Sequence, residues 1–437
     1  MRSIAAACFS VLMGTLSMGA QMVPAAPAQS SSQTLTISRA EQLAMKNNPR
    51  IAVTRLEALA EGQVTREARS AELPELAGNL TAVEPKAGSR VTAGGLNNPV
   101  LYERAAAGVT LRQMITDFGR TRNLVGSADL RAKAEASAQA ATADDVMFAV
   151  DEAFYHALST QAVLKVAADT VKARQTTADQ VSALTGAKLK STLDLSFANV
   201  DLAQAKLLLV DAENANQDAL TTLNALVGNE REVAYTLVDE TPKSPEAAPE
   251  DAEPLVAEAF ARRPDLQSLD EQYAAAKKFS AAEHDLWRPT VTALGVMGDT
   301  PVRADQITTP WYGGVGVNVS VPLFNGFLYS ARAKEADLRA SAANEQVQAL
   351  RQAIARDVRT TVLAAQSNFE RIAVTGQLVK EASSAFDLAQ TRYKIGLSSM
   401  VELSQAQLAE TQAQIAYANA RYAYEGSLAA IRFQTGQ

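Results

Sequence analysis

The chain of 437 residues carries 41 basic and 48 acidic side chains, a formal net charge of −7, and this mild acidity argues against a nucleic-acid partner. Aromatic residues make up only 5% while alanine is abundant, a composition that excludes a thick globular core and suits long helices packed closely side by side. The single cysteine, Cys8, excludes an internal disulfide.

Residues 1–28 read as a secretory signal, with Arg2, an apolar run from Ile4 to about Leu16, and "APA" at Ala26–Ala28 before Gln29. Cleavage after Ala20 is the competing choice. Cys8 lies inside the apolar run; "AAAC" faintly resembles a lipoprotein box, but little apolar sequence precedes it. Removal of this segment leaves a charge of 40 − 48 = −8 and no thiolate for a metal site.

A first unit is expected over residues 29–228. Ser38 with Glu41 three residues on has the capping-box pattern and opens helices spanning 36–73, the second running from about Arg50 to Ala71. Strands follow over about 76–116: Val109, Leu111 and Ile115 alternate with Thr110, Arg112 and Thr116. From residue 119 the period becomes helical, with Val146, Val150, Phe154 and Leu158 stepping by four. A helix over about 119–184 would be ~100 Å long at ~1.5 Å per residue. A turn near Gly186–Ser191 sends a second helix back, so that a long helical hairpin fills 119–228.

Residues 229–254, with "DETPKSPEAAPEDAEP", form an acidic, proline-rich, exposed linker. A second unit then spans 255–437, with a helix over 255–287, strands over about 290–324 and a helical hairpin over 327–436. Trp311, Val315, Val317, Val319, Val321 and Leu323 should share one strand face, opposite Tyr312, Asn318 and Ser320. The loops "KAGSRVTAGGLNNP" and "GDTPVRADQITTP" join the strand pairs.

The two units are copies. "ADLRA" occurs at Ala128–Ala132 and Ala336–Ala340, an offset of 336 − 128 = 208. The same offset relates Asp117 to Asn325, Asp194 to Glu402 and Gly228 to Gly436, while Pro49/Pro264 and Pro74/Pro289 lie 215 apart. A duplicated domain explains this better than a solenoid of short repeats.

Four strands cannot close a barrel alone, and open strand edges cannot sit in lipid. No segment after the signal reaches ~18 consecutive apolar residues, as a membrane helix would need. The strands suit either a soluble sheet with one face on a core or an outer-membrane barrel built from several chains, and periodicity leaves both open. Nothing else in the chain could bury the sheet, which favours the barrel.

The layout, together with "VPLFNGF" and "RYKIGLSSMVELSQAQ" at Arg392–Gln407, resembles the TolC family of outer-membrane efflux and secretion channels. The second stretch is similar to the family's R-Y-x-x-G followed by an acid and leucine. The resemblance implies a mainly α protein with a membrane β-barrel portion: a homotrimer whose strands form one barrel in outer-membrane lipid and whose long helices form a periplasmic tunnel. It implies partners too, a periplasmic adaptor and an inner-membrane transporter, serving efflux or type I secretion. Glu402 and Gln405 fall where the family narrows its periplasmic mouth with acids; Gln405 departs from that pattern. Asp194 and Tyr393 match positions that hydrogen-bond between neighbouring coils and hold the mouth shut. Ser398 departs, since the family's best-known member has arginine there. Asp194 and Glu402 also suit ordinary helix N-termini. Val315, Val317 and Val319 would face lipid. A periplasmic coiled-coil adaptor or scaffold without a pore is the alternative.

No catalytic, cofactor or metal site is expected. His156 and His284 have no companion at ligand spacing and read as helix-surface residues. "GGVGVNV" at Gly313–Val319 lacks the Lys-Ser/Thr of a phosphate loop and alternates as a strand. Asp144–Asp145 and Asp151–Glu152 read as solvated helix face.

Overall fold

The computed structural model describes residues 33–86, 104–231, 233–242, 245–302 and 309–437. The expected signal with Cys8, and parts of both strand-joining loops, lie outside them. In chain order the elements are β1 (Gln33–Leu35), α1 (Ile37–Asn47), α2 (Pro49–Ser70), β2 (Glu75–Val83), β3 (Arg104–Thr116), α3 (Arg120–Gly186) and α4 (Thr192–Leu226). Then follow β4 (Tyr235–Leu237), α5 (Glu253–Arg262), α6 (Pro264–His284), β5 (Thr290–Val302), β6 (Trp311–Ser320), α7 (Leu328–Lys394) and α8 (Met400–Thr435).

Each repeat opens with a helix broken at a proline. The residue before proline is driven from the helical region, and both Asn48 (φ −68, ψ 122) and Arg263 (φ −63, ψ 120) are extended. The expected single helix over 255–287 is therefore two, α5 and α6, followed by a short 3-10 turn at Asp285–Trp287. The cap of α1 also differs from the sequence reading. Thr36, not Ser38, accepts the Arg39 N–H at 3.3 Å, because pairing of Leu35 in β1 sets the chain's turn two residues earlier.

The breaks dock onto the ends of the long hairpins. Asn48 Nδ2 donates to Leu226 O at 2.9 Å, and Arg263 donates to Gln434 Oε1 at 2.5 Å, so each break caps the helix returning to it. The chain leaves those helices through Gly228 (φ +82) and Gly436 (φ +71). A Cβ on Gly228 would stand 2.7 Å from the Asn47 carbonyl carbon, and one on Gly436 would stand 3.1 Å from that of Arg262. Left-handed geometry and close backbone approach both demand glycine there.

Residues 229–254 are not simply an exposed linker. β4 pairs in parallel with β1, Tyr422 Oη donates to Asp239 at 3.0 Å, and Tyr424 Oη donates to Glu246 O at 2.6 Å. Fully buried Tyr424 needs an acceptor for its hydroxyl, and the linker backbone supplies it.

The long helices α3 and α7 have 67 residues each. On the sheet-proximal half α2, α3, α6 and α7 lie side by side; on the far half the order is α4, α3, α8 and α7. Seams between them are built on apolar residues in steps of seven, all alanine on α4 (Ala198, Ala205, Ala212 and Ala219) and alanine giving way to larger side chains on α7 (Ala333, Ala340, Val347 and Ile354). A seven-residue apolar repeat is the period of a coiled-coil seam, and alanine lets backbones approach.

The main sheet has the order β2-β3-β5-β6, all antiparallel. Leu111 stands opposite Gly295, which stands opposite Val315, so the apolar sets of both repeats share one face. Ile115 falls in an irregularity, leaving Thr116 opposite Val291, and Val321 and Leu323 lie beyond the end of β6. On the other face Tyr312 lies against Gly298 and Gly108, where a Cβ would collide with its hydroxyl. Aromatic cover of strand glycines of this kind pins register.

Gly228→Ala should cost about 1–3 kcal/mol from forced left-handed geometry alone. Gly62→Ala, inside α2 with open space around it, should be neutral or gain up to ~1 kcal/mol. Thermal unfolding of the two purified variants compares them, and equal midpoints would refute the docking role of Gly228.

Candidate functional site

Two regions concentrate the sequence-expected residues: the helical tips far from the sheet, and the sheet itself. At the first tip, Ser191 caps α4. Its Oγ accepts the Asp194 N–H at 3.1 Å, while Asp194 Oδ2 accepts from the Ser191 N–H and Oγ at 3.2 and 2.8 Å. Asp194 is thus the acid of a closed capping box. At the second tip Ser399 caps α8 by accepting the Glu402 N–H at 3.2 Å. The Glu402 carboxylate turns instead to Arg392, 3.5 Å away, in a half-exposed pair worth about 0–1 kcal/mol. Gln405, one turn on, is exposed.

Tyr393 is buried between the tips, against Val181, Ala198, Met400 and Leu403. Lys190 Nζ sits 4.1 Å from its ring centroid. The structure brings Asp194 near Tyr393, and burial followed by the Asp194 charge pushes the Tyr393 hydroxyl up. It forms no hydrogen bond between them: Asp194 is engaged at its cap, and Tyr393 Oη is buried without a partner. The expected link is therefore not made within one chain.

A different polar joint holds the two hairpins together. Arg174 on α3 pairs with Asp201 Oδ2 on α4 at 3.2 Å and also donates to Gln407 Oε1 on α8. Ser404 Oγ, on α8, donates to Asp201 Oδ1 at 2.8 Å. The Arg174 and Asp201 side chains are 7% and 11% exposed, so this is a buried pair. Burial pulls the Arg174 pKa down, opposed by the charges of Asp201 and Glu410. Removing one partner from such a pair typically costs about 3–5 kcal/mol, because the other charge stays buried. Sequence reasoning missed these residues, although one signal was available. Arg174 lies seven positions after buried Ala167 and seven before buried Val181, on the apolar seam of α3.

On the sheet, Val315, Val317 and Val319 are 94%, 69% and 57% exposed. Leu80, Val109, Leu111 and Met297 share their face by register. The opposite face carries Asn79, Thr110, Arg112, Thr292, Asn318 and Ser320. β2 and β6, at the ends of the order, each leave one edge unpaired.

Among the described residues no group of three or more His, Cys, Asp or Glu is placed to hold a metal ion, and no helix is long and apolar enough to cross a membrane. His156 and His284 are both exposed, His284 standing 3.1 Å from Asp337.

The outer membrane efflux protein family model matches residues 41–229 and 255–437, one segment for each repeat. The pyoverdine export outer membrane protein OpmQ of Pseudomonas aeruginosa is 26% identical over 199 residues, 45% of this chain and 41% of that protein. Outer membrane protein TolC of Escherichia coli is 23% identical over 398 residues, 86% of this chain and 77% of TolC. The solved outer-membrane channel OprN shares the fold, with a TM-score of 0.81 at 19% identity over 92% of this chain and 89% of that one. The chain belongs to the outer membrane efflux protein family, the TolC family, and is an outer-membrane protein whose helices extend into the periplasm.

Proposed function

We propose that three copies close head to tail into one passive duct, with twelve strands in the membrane and a helical tunnel that narrows at the α3–α4 and α7–α8 tips. The observation that carries this reading is that the molecule is unfinished along both sides. β2 and β6 have free edges, and the helices next to them expose apolar side chains. α2 shows Val53, Leu56 and Leu59; α4 shows Leu193, Phe197, Val200 and Leu207; α7 shows Leu363, Val374, Leu378 and Leu388. A head-to-tail interface forms a ring when its rotation closes, and a closed ring leaves no strand edge in lipid. Nothing in the chain suggests an energy source, so transport is driven by an inner-membrane transporter coupled through a periplasmic adaptor. The cargo is a small molecule in efflux or a protein in type I secretion.

Three copies of Glu402 and Gln405 line the mouth. Closure rests on the buried Arg174–Asp201–Gln407 joint within each chain and on the packing of buried Tyr393 beside Asp194 at the tips.

Val317→Arg should hinder assembly, since a charge on the lipid face near the midplane costs about 2–4 kcal/mol, while Asn318→Arg should be tolerated. The yield of heat-resistant trimers on gels checks this, and the reverse ranking rules out the assigned faces.

Arg174→Met leaves Asp201 buried without its cation and should raise single-channel conductance in planar bilayers. Tyr393→Phe should raise it by a smaller amount. Glu402→Gln should chiefly lower cation preference, because like charges around a narrow mouth act as a selectivity ring. Unchanged conductance in Arg174→Met would remove that residue from the closing mechanism.

A further inference from the structure

A second buried polar cluster lies far from the tips, where α1 packs against α3 and α8. Asp151 on α3 was expected on a solvated helix face, yet it is only 7% exposed. Its Oδ2 accepts from Arg432 on α8 at 3.3 Å. Its Oδ1 is buried and has no donor. Glu41 on α1 faces the same space, a small cavity of about 80 Å³ that Asp151, Asp144, Phe148, Arg432 and Gln437 also line.

The charges around this cavity do not balance. α1 contributes Glu41 and α3 contributes Asp144 and Asp151, while α8 contributes Arg432 and the nearby, buried Glu425. Arg263 and Asp265, at the start of α6, act on Asp144 with opposite signs, and Tyr155 stands near Arg432. Among the described residues Arg432 is the one cation that lines the cavity, and it already serves Asp151. Asp144 has the Arg263 charge acting on it, but Glu41 and Asp151 around the single Arg432 guanidinium leave an unpaired negative charge and an unsatisfied buried oxygen, each costly in a poorly solvated space. One proton shared between these two carboxylates corrects both defects at once.

We propose that Glu41 and Asp151 share one proton across this cavity, making the joint between α1 and the α3–α8 pair a pH-dependent latch. Protonated Glu41 donates to Asp151 Oδ1, and Asp151 stays ionised against Arg432. Burial, the hydrogen bond with Asp151 and the Asp151 charge push the Glu41 carboxyl from 4.5 up to about 7, with Arg432 opposing. A raised acid binds its proton more tightly in the docked state than when released. The latch is therefore fully set below the pKa of a free glutamate and is lost as pH rises through about 7. Loss of the proton places two carboxylates face to face and favours release of α1. This inference does not depend on how many copies assemble.

Hydrogen–deuterium exchange of the full chain in detergent, read on α1 peptides with β3 and β5 as internal reference, tests the latch. Between about pH 5.5 and about pH 8, α1 protection should fall roughly ten- to hundredfold beyond the intrinsic change in exchange chemistry, allowing for screening of a half-buried group. Glu41→Gln, whose amide donates to Asp151 at any pH, should keep α1 protected throughout. If that variant does not accumulate, Asp151→Asn poses the same question. Glu41 then faces Arg432 without a competing carboxylate, and the pH slope should vanish. Wild-type protection that is flat across this range, or a variant that keeps the wild-type slope, overturns the proposal.

Discussion

A β-strand in hydrocarbon must have both its edges hydrogen-bonded, and most of this architecture follows from that requirement. Each unpaired backbone group left in lipid costs several kcal/mol, so a sheet that ends at β2 and β6 cannot stand alone there. The same incompleteness runs down the helices, where α2 and α4 on one side and α7 on the other keep apolar side chains uncovered. Strand edges and helix edges therefore call for one and the same neighbour. In the proposed closed sheet, the apolar face around Val315 would form the outside and the polar face around Asn318 the inside.

Between the helices the forces are of another kind. Alanine seams bury little area per residue, so the far half of the molecule depends on many small close contacts rather than a few large ones. Such seams are permissive about register, because one alanine fits the groove as well as the next. A buried polar joint such as Arg174 with Asp201, Ser404 and Gln407 is selective, since a slide of one turn leaves its charges unpaired. Its contribution is to fix one arrangement of the hairpins, whatever its net effect on stability.

The architecture was legible in the sequence because its signals repeat. The alternation around Val315, the steps of four from Val146 to Leu158, and glycines at 228 and 436 each have a counterpart in the other copy. Proline positions located the breaks, but Pro264 was not weighed as one, so a single helix was expected where α5 and α6 stand. The linker misled for a different reason: its composition is that of an exposed segment, and only the buried hydroxyls of Tyr422 and Tyr424 show what holds it down. At the tips Asp194 is engaged locally, and no hydrogen bond joins it to Tyr393 within one chain. Asp194 could satisfy a helix cap or a distant tyrosine, and the local partner prevails because Ser191 is three residues away. Arg174 escaped notice and Asp151 was read as solvated helix face, because long-range burial of a charge leaves little trace in local periodicity.

The two repeats differ at one telling place. The position in α7 equivalent to Arg174 is 174 + 208 = 382, a buried alanine, and the counterpart of Asp201 is 201 + 208 = 409, also alanine. A ring of six identical units would carry the charged joint at every boundary or at none. Duplication followed by divergence allows two kinds of boundary to alternate around one wall. The charged joint lies at the boundary inside each chain, between α3–α4 and α8, and the equivalent positions of the other hairpin carry alanine. If copies of the chain close into a cylinder as proposed, stiff staves and yielding joints would alternate around it, and any movement of its end would be concentrated in half of its seams.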